Sequence, residues 1–99
     1  MKRKMYVAMF CYSKTPVFVY TYACDDAEQI LSKLSTFLTD NKKLQYAIYN
    51  HIRIYQVQRL NCCVANMVLA LSNISTASHS IELEDVTARL VYTVDVYNR

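Results

Sequence analysis

The chain has 99 residues with no glycine and one proline; 54% of it is hydrophobic and 19% charged, with a net charge of +3. That describes one domain with enough apolar residues for a core, not a disordered tail. About seven glycines are usual at this length, and their absence excludes the Walker-type phosphate loop, the dinucleotide fingerprint and the strand-to-helix nucleophile elbow.

Residues 4–12 (KMYVAMFCY) and 17–24 (VFVYTYAC) read as two strands of a β-hairpin. Ser13-Lys14-Thr15-Pro16 between them is turn chemistry without glycine, expected as a type I turn. A turn about Lys14-Thr15 sets Cys11 opposite Phe18 and Cys24 opposite Met5. One face then carries Tyr6, Ala8, Phe10, Tyr12, Val17, Val19 and Thr21, and the other carries Met5, Val7, Met9, Cys11, Phe18, Tyr20 and Tyr22. Neither face is polar, whereas a half-solvated hairpin alternates apolar with polar. Both faces therefore need cover. The expectation is helices on one side and a partner on the other, with Tyr6, Phe10, Tyr12, Phe18, Tyr20 and Tyr22 as the interface. Nine tyrosines fit that reading, because tyrosine buries area while its hydroxyl keeps a polar contact. The commonest such partner is a second copy.

Lys2-Arg3-Lys4 before the first strand has the charge of a signal-peptide start. The apolar stretch after it is aromatic and β-branched, Lys14 and Pro16 interrupt it, and no small-x-small cleavage pattern follows, so a strand is expected instead. No window approaches the roughly 18 apolar residues of a membrane span.

Residues 25–39 (DDAEQILSKLSTFLT) form the clearest helix, with Asp25 as N-cap, Glu28 as its capping-box partner, and Ala27, Ile30, Leu31, Leu34, Phe37 and Leu38 as its apolar stripe. Residues 44–49 fit a helical turn or a loop. Residues 52–60 (IRIYQVQRL) read as a strand. Residues 62–73 fit a buried helix or a buried strand, with Asn61 as a candidate N-cap. Residues 74–80 read as a polar loop. Residues 86–97 alternate as a long strand, with Val86, Ala88, Leu90, Tyr92, Val94 and Val96 on one face. The expected fold is a single α+β domain over residues 1–99, a mainly antiparallel four-stranded sheet with one or two helices on one face in ββαβαβ order.

No motif supports catalysis or a cofactor. Cys11, Cys24, Cys62 and Cys63 lack disulfide register and metal spacing, and His51 and His79 stand alone, so free thiols in a reducing cytosol are expected and no metal site. A thiol nucleophile at Cys62 or Cys63 with His51 as distant base lacks any local signature. Asp25-Asp26 reads as a helix cap, and Glu82, Glu84 and Asp85 as a solvated turn.

The third strand offers a different chemistry. Arg53, Tyr55, Val57 and Arg59 alternate onto one face, where bases stack on an aromatic ring and an Arg plane while cations track phosphates. Lys42 and Lys43, with Lys2, Arg3 and Lys4, extend that field. The plainer alternative is an ordinary sheet whose outer face carries long basic side chains, and eleven Lys and Arg against eight Asp and Glu permits nucleic-acid contact without requiring it.

The strand Met5-Tyr6-Val7-Ala8-Met9-Phe10, the aromatic strand Val17-Phe18-Val19-Tyr20, the helix opening at Asp25-Asp26-Ala27 and the later strand Ile52–Asn61 recur in one spacing. In that spacing the first 61 residues resemble the small non-structural protein of gokushovirus-type microviruses. Gln58 stands where that family has Gly, Asn61 where it has Asp, the following Thr-Gly is missing, and residues 62–99 lie outside the resemblance. It implies a phage accessory protein associated with single-stranded DNA, in the host cytoplasm. The leading expectation is a non-enzymatic phage or viral accessory protein that presents a surface to a protein partner as a homodimer. An inhibitor of a host defence complex belongs to that class. The alternative is a single-stranded nucleic-acid binder using Arg53, Tyr55 and Arg59.

Overall fold

The computed structural model describes residues 4–40, 49–73 and 79–95. In chain order the elements are β1 (Lys4–Tyr12), β2 (Thr15–Cys24), α1 (Ala27–Asp40), β3 (His51–Leu60), α2 (Val64–Ser72), β4 (Ser80–Glu82) and β5 (Val86–Asp95). The protein is α+β, with one antiparallel sheet in the order β2-β1-β3-β5-β4. A fifth strand, β4, joins the four expected ones. It is three residues long and pairs only with β5.

Strand β1 explains the rest of the architecture. Tyr6 to Cys11 are six consecutive buried residues. A strand sends alternate side chains to opposite faces, so six in a row need an apolar layer on each side. One layer is α1, whose Ile30 and Leu34 pack with Tyr6, Ala8, Phe10, Ile52 and Ile54. The other is α2, whose Met67 and Leu71 pack with Val7, Met9, Cys11 and Tyr55. The helices thus lie on opposite faces of the sheet, not on one. Residues 62–73 resolve as helix, starting after Cys63 rather than at Asn61. The doubly apolar hairpin is covered within the chain, so its composition no longer calls for a partner.

The α1 cap sits one residue later than expected. Asp26 Oδ1 accepts the Glu28 and Gln29 amides at 3.0 and 3.1 Å, and Gln29 Oε1 accepts the Asp25 amide at 3.2 Å. The first two bonds satisfy helix amides that have no partner inside the helix, and the third ties the residue before the cap to the first turn.

Bulges govern which face each side chain joins. Tyr12 pairs with Thr15 across a two-residue turn, Ser13-Lys14, in place of the expected type I turn. An irregularity between Phe10 and Cys11 then sets Phe18 opposite Phe10 and Pro16 opposite Cys11. Cys24 faces Lys4. As a result Phe18, Tyr20 and Tyr22 share the α1 face with Tyr6, Ala8 and Phe10, the reverse of the alternation read from residue 17 onward. In β5, Val91 is skipped between Leu90, opposite Tyr55, and Tyr92, opposite Ile54. Leu90 therefore packs on the α2 side while Tyr92 and Val94 pack on the α1 side, and the single-face reading of this strand fails at that point. The expected Val96 lies outside the described residues, as do 44–48 and 74–78.

The hairpin turn is the place where a missing glycine is felt. Ser13 has φ 56°, a left-handed conformation that costs an L-residue with a Cβ about 1–2 kcal/mol. Its backbone amide is held by Asn50 Oδ1 at 3.2 Å, a bond that glycine would keep. Ser13→Gly should raise unfolding stability by about 0.5–1 kcal/mol in urea titration. An unchanged or lower midpoint would show that the turn is unstrained.

Candidate functional site: an uncharged sheet edge

The cationic strand face does not assemble. Tyr55 is fully buried in the α2-side cluster, against Val7, Met9, Met67 and Leu71. Gln58 is skipped between Val57, opposite Ala88, and Arg59, opposite Thr87. Arg59 is thereby turned to the face away from Tyr55. Its guanidinium donates through Nη2 to the carbonyls of Leu83 and Glu84, both at 3.1 Å, and ties down the β4–β5 turn. Arg53 stays on the Tyr55 face, half-buried. Lys42 and Lys43 lie outside the described residues, with Lys2 and Arg3. The alternation of residues 53–59 is real up to Val57, but the ring offered for stacking belongs to the core.

The aromatic interface candidates divide. Tyr6 and Phe10 are buried, with burial and then Cys24, Asp26 and Tyr92 holding the Tyr6 phenol above its ordinary pKa. Phe18, Tyr20 and Tyr22 are half-buried and form an aromatic group with α1. Phe37 stacks on Tyr20 at 4.0 Å and on Phe18 at 6.1 Å, and Lys33 Nζ lies 5.7 Å from the Tyr22 ring centre. Tyr12 is exposed at the hairpin end. These rings are packing between β2 and α1 first, and surface second.

The thiols are dispersed. Cys11 and Cys24 are buried, and their Sγ atoms donate to Met9 and Asp26 carbonyls at 3.4 and 3.3 Å. Cys63 is exposed, and the half-buried Cys62 is pushed above its ordinary pKa by burial, then by Asp85 and Cys63. His51 opens β3 and Cys62 follows its other end, about 30 Å away at strand rise. The thiol–imidazole pair considered above is not brought together. Among the described residues no three His, Cys, Asp or Glu side chains are grouped to hold a metal ion. No described helix is long and apolar enough to cross a membrane.

His51 has a local role that its sequence neighbours do not announce. It pairs with Cys11 on one side and Asp95 on the other. Its Nδ1 lies 2.8 Å from Asn50 Oδ1, the same oxygen that accepts the Ser13 amide, so the neutral ring carries its proton on Nδ1. Nε2 is buried with no hydrogen-bond partner among the described residues. The row Cys11–His51–Asp95 is no catalytic relay: the thiol is buried and donates to a carbonyl, and Nδ1 faces Asn50 rather than Asp95.

Among the described residues, the outer edge of β2 has no strand paired to it. It is ten residues long, Thr15–Cys24, and carries no charged side chain. Among the described residues it pairs only with β1. Edge strands of soluble proteins are ordinarily shortened, bulged or charged, lysine above all, to block pairing with another chain. The opposite edge obeys that rule: β4 is three residues long and the turn after it holds Glu84 and Asp85. On β2 the devices are confined to one end, at Pro16 and the skipped Val17. Nothing in the residue pattern marked this strand as the edge, since strand order is not readable from alternation. No family model, no curated protein and no solved structure matches this chain.

Two outcomes follow. Tyr55→Ala should cost about 3–5 kcal/mol of folding stability, as for a large core aromatic. A loss below about 1 kcal/mol in chemical denaturation would place the ring outside the core. For His51, burial and then Arg53 hold the folded-state pKa below its ordinary 6.5, with Asp95 opposing them. The folded protein then binds fewer protons than the unfolded chain between the two values. Its contribution is therefore complete above 6.5 and is lost as pH falls through that window. The urea midpoint should drop less between about pH 7.5 and about pH 5.5 in His51→Gln than in the parent. Equal drops would mean that the imidazole titrates as it does in the unfolded chain.

Proposed function

We propose that this chain is a small non-enzymatic accessory protein, of the phage or viral type, that works as a protein-interaction module. Its docking element is the open edge of β2, which takes up an extended segment of a partner as an added strand. The observation that carries this reading is the contrast between the two edge strands, one ten residues long and uncharged, the other three residues long and ending in Glu82. Main-chain hydrogen bonds along such an edge supply affinity, and alternate side chains on the two faces supply selectivity. The faces differ here: Phe18, Tyr20 and Tyr22 stand beside α1, while Val19 stands on the α2 side. Both helices pack against β2, so the strand is held in place before any partner arrives.

The reading is tested by panning the protein, immobilised sparsely so that copies do not meet, against a library of random decapeptides. Alternating apolar, uncharged peptides should be recovered and should lose binding to Ala23→Lys, which charges an exposed position on the edge strand. Recovery of peptides indifferent to that substitution, or of none, would overturn it.

A further inference from the structure

Resting on that reading, we propose that the partner strand is β2 of a second copy, paired antiparallel about a two-fold axis, so that two sheets join into one. The argument is the distribution of charge along the edge. Lys14, exposed, stands immediately before β2, and Asp25 and Asp26, both exposed, stand immediately after it. The ten residues between carry no charge. An edge with cation at one end and carboxylates at the other is complementary to itself only in the antiparallel sense.

The faces restrict the register further. A two-fold axis normal to the sheet keeps the α1 face of one copy continuous with that of the other, so a residue can oppose only residues of its own face. With Tyr20 opposite Tyr20 of the second copy, Phe18 meets Tyr22 and Val19 meets Thr21. Lys14 then falls beside Asp25 and Asp26 of the second copy, and by symmetry this happens twice. The cross-strand pairs so formed are aromatic with aromatic and β-branched with β-branched, the pairs that stabilise sheets, and no like charges are opposed. Of the two neighbouring registers that the faces allow, one sets Lys14 opposite Cys24 with Asp25 alone beside it, and the other sets Lys14 two positions past Asp26. The β4 edge has no corresponding pattern, so the sheet extends at one side and the assembly closes as a dimer.

The test is sedimentation equilibrium of the purified protein across a concentration series up to about 100 μM, the range expected of one strand edge with its flanking contacts. The expected species has twice the 11.5 kDa monomer mass. Lys14→Asp should weaken the dimer about tenfold, since each reversed contact occurs twice, and Lys14→Asp with Asp25→Lys should restore it. Val17→Lys with Ala23→Lys, two exposed positions opposed in this register, should abolish it. Circular dichroism confirms that each variant is folded. A monomer throughout the series, or a dimer indifferent to these substitutions, overturns the proposal. If that monomer still captures uncharged peptides at its edge, the interaction module stands and only self-pairing falls; if it captures none, both fall.

Discussion

The structure depends on one strand that is apolar on both faces. Six buried residues in succession on β1 cannot be satisfied by a two-layer arrangement, in which one sheet face meets water. A third layer is needed, and the described residues hold two helices with which to make it. Placing one helix on each side puts β1 at the heart of two separate apolar clusters, divided by the sheet itself. Strand β3 shares this position, with Ile52 and Ile54 in one cluster and Tyr55 in the other. The sheet then ends at β2 on one side and at β4 on the other.

The two margins are closed in different ways. At the β4 side, Arg59 holds the turn by donating to two carbonyls, and acidic residues follow the short strand. At the β2 side, the aromatic rings of Phe18 and Tyr20 stack on Phe37 of α1, which secures one face of the strand. Strength of packing and openness of the hydrogen-bonding edge are therefore compatible on the same strand. β2 is thus packed on its faces while, among the described residues, its ladder runs to β1 alone.

Much of this was legible in the residues. The hairpin, the first helix, the third strand and the last strand all lie within a few residues of where the sequence places them, because each is a long apolar or periodic stretch bounded by turn or cap residues. The second helix was ambiguous because Met67, Val68, Leu69 and Leu71 satisfy both periods. β4 is not legible because three residues, Ser80, Ile81 and Glu82, carry almost no pattern. The side chosen by each helix was not legible, since an apolar stripe records that a helix is buried but not against which face. The site fared worse than the fold for the same kind of reason. Whether Tyr55 is a stacking platform or a core residue depends on where α2 lies, and whether Arg59 joins it depends on one skipped residue at Gln58.

The skipped residues at Val17, Gln58 and Val91 give the strands a reading frame. Before each one, odd and even positions belong to particular faces; after it the assignment is exchanged. A deletion at the paired Thr93 would leave composition and hydropathy almost unaltered while sending Val94 into the wrong layer. A compensating insertion a few positions later would restore everything beyond it. Drift in this protein is therefore freer in the identity of its apolar residues than in their number. Related chains, however far their letters diverge, are expected to keep the count of residues between Ile52 and Leu60 and between Val86 and Val94.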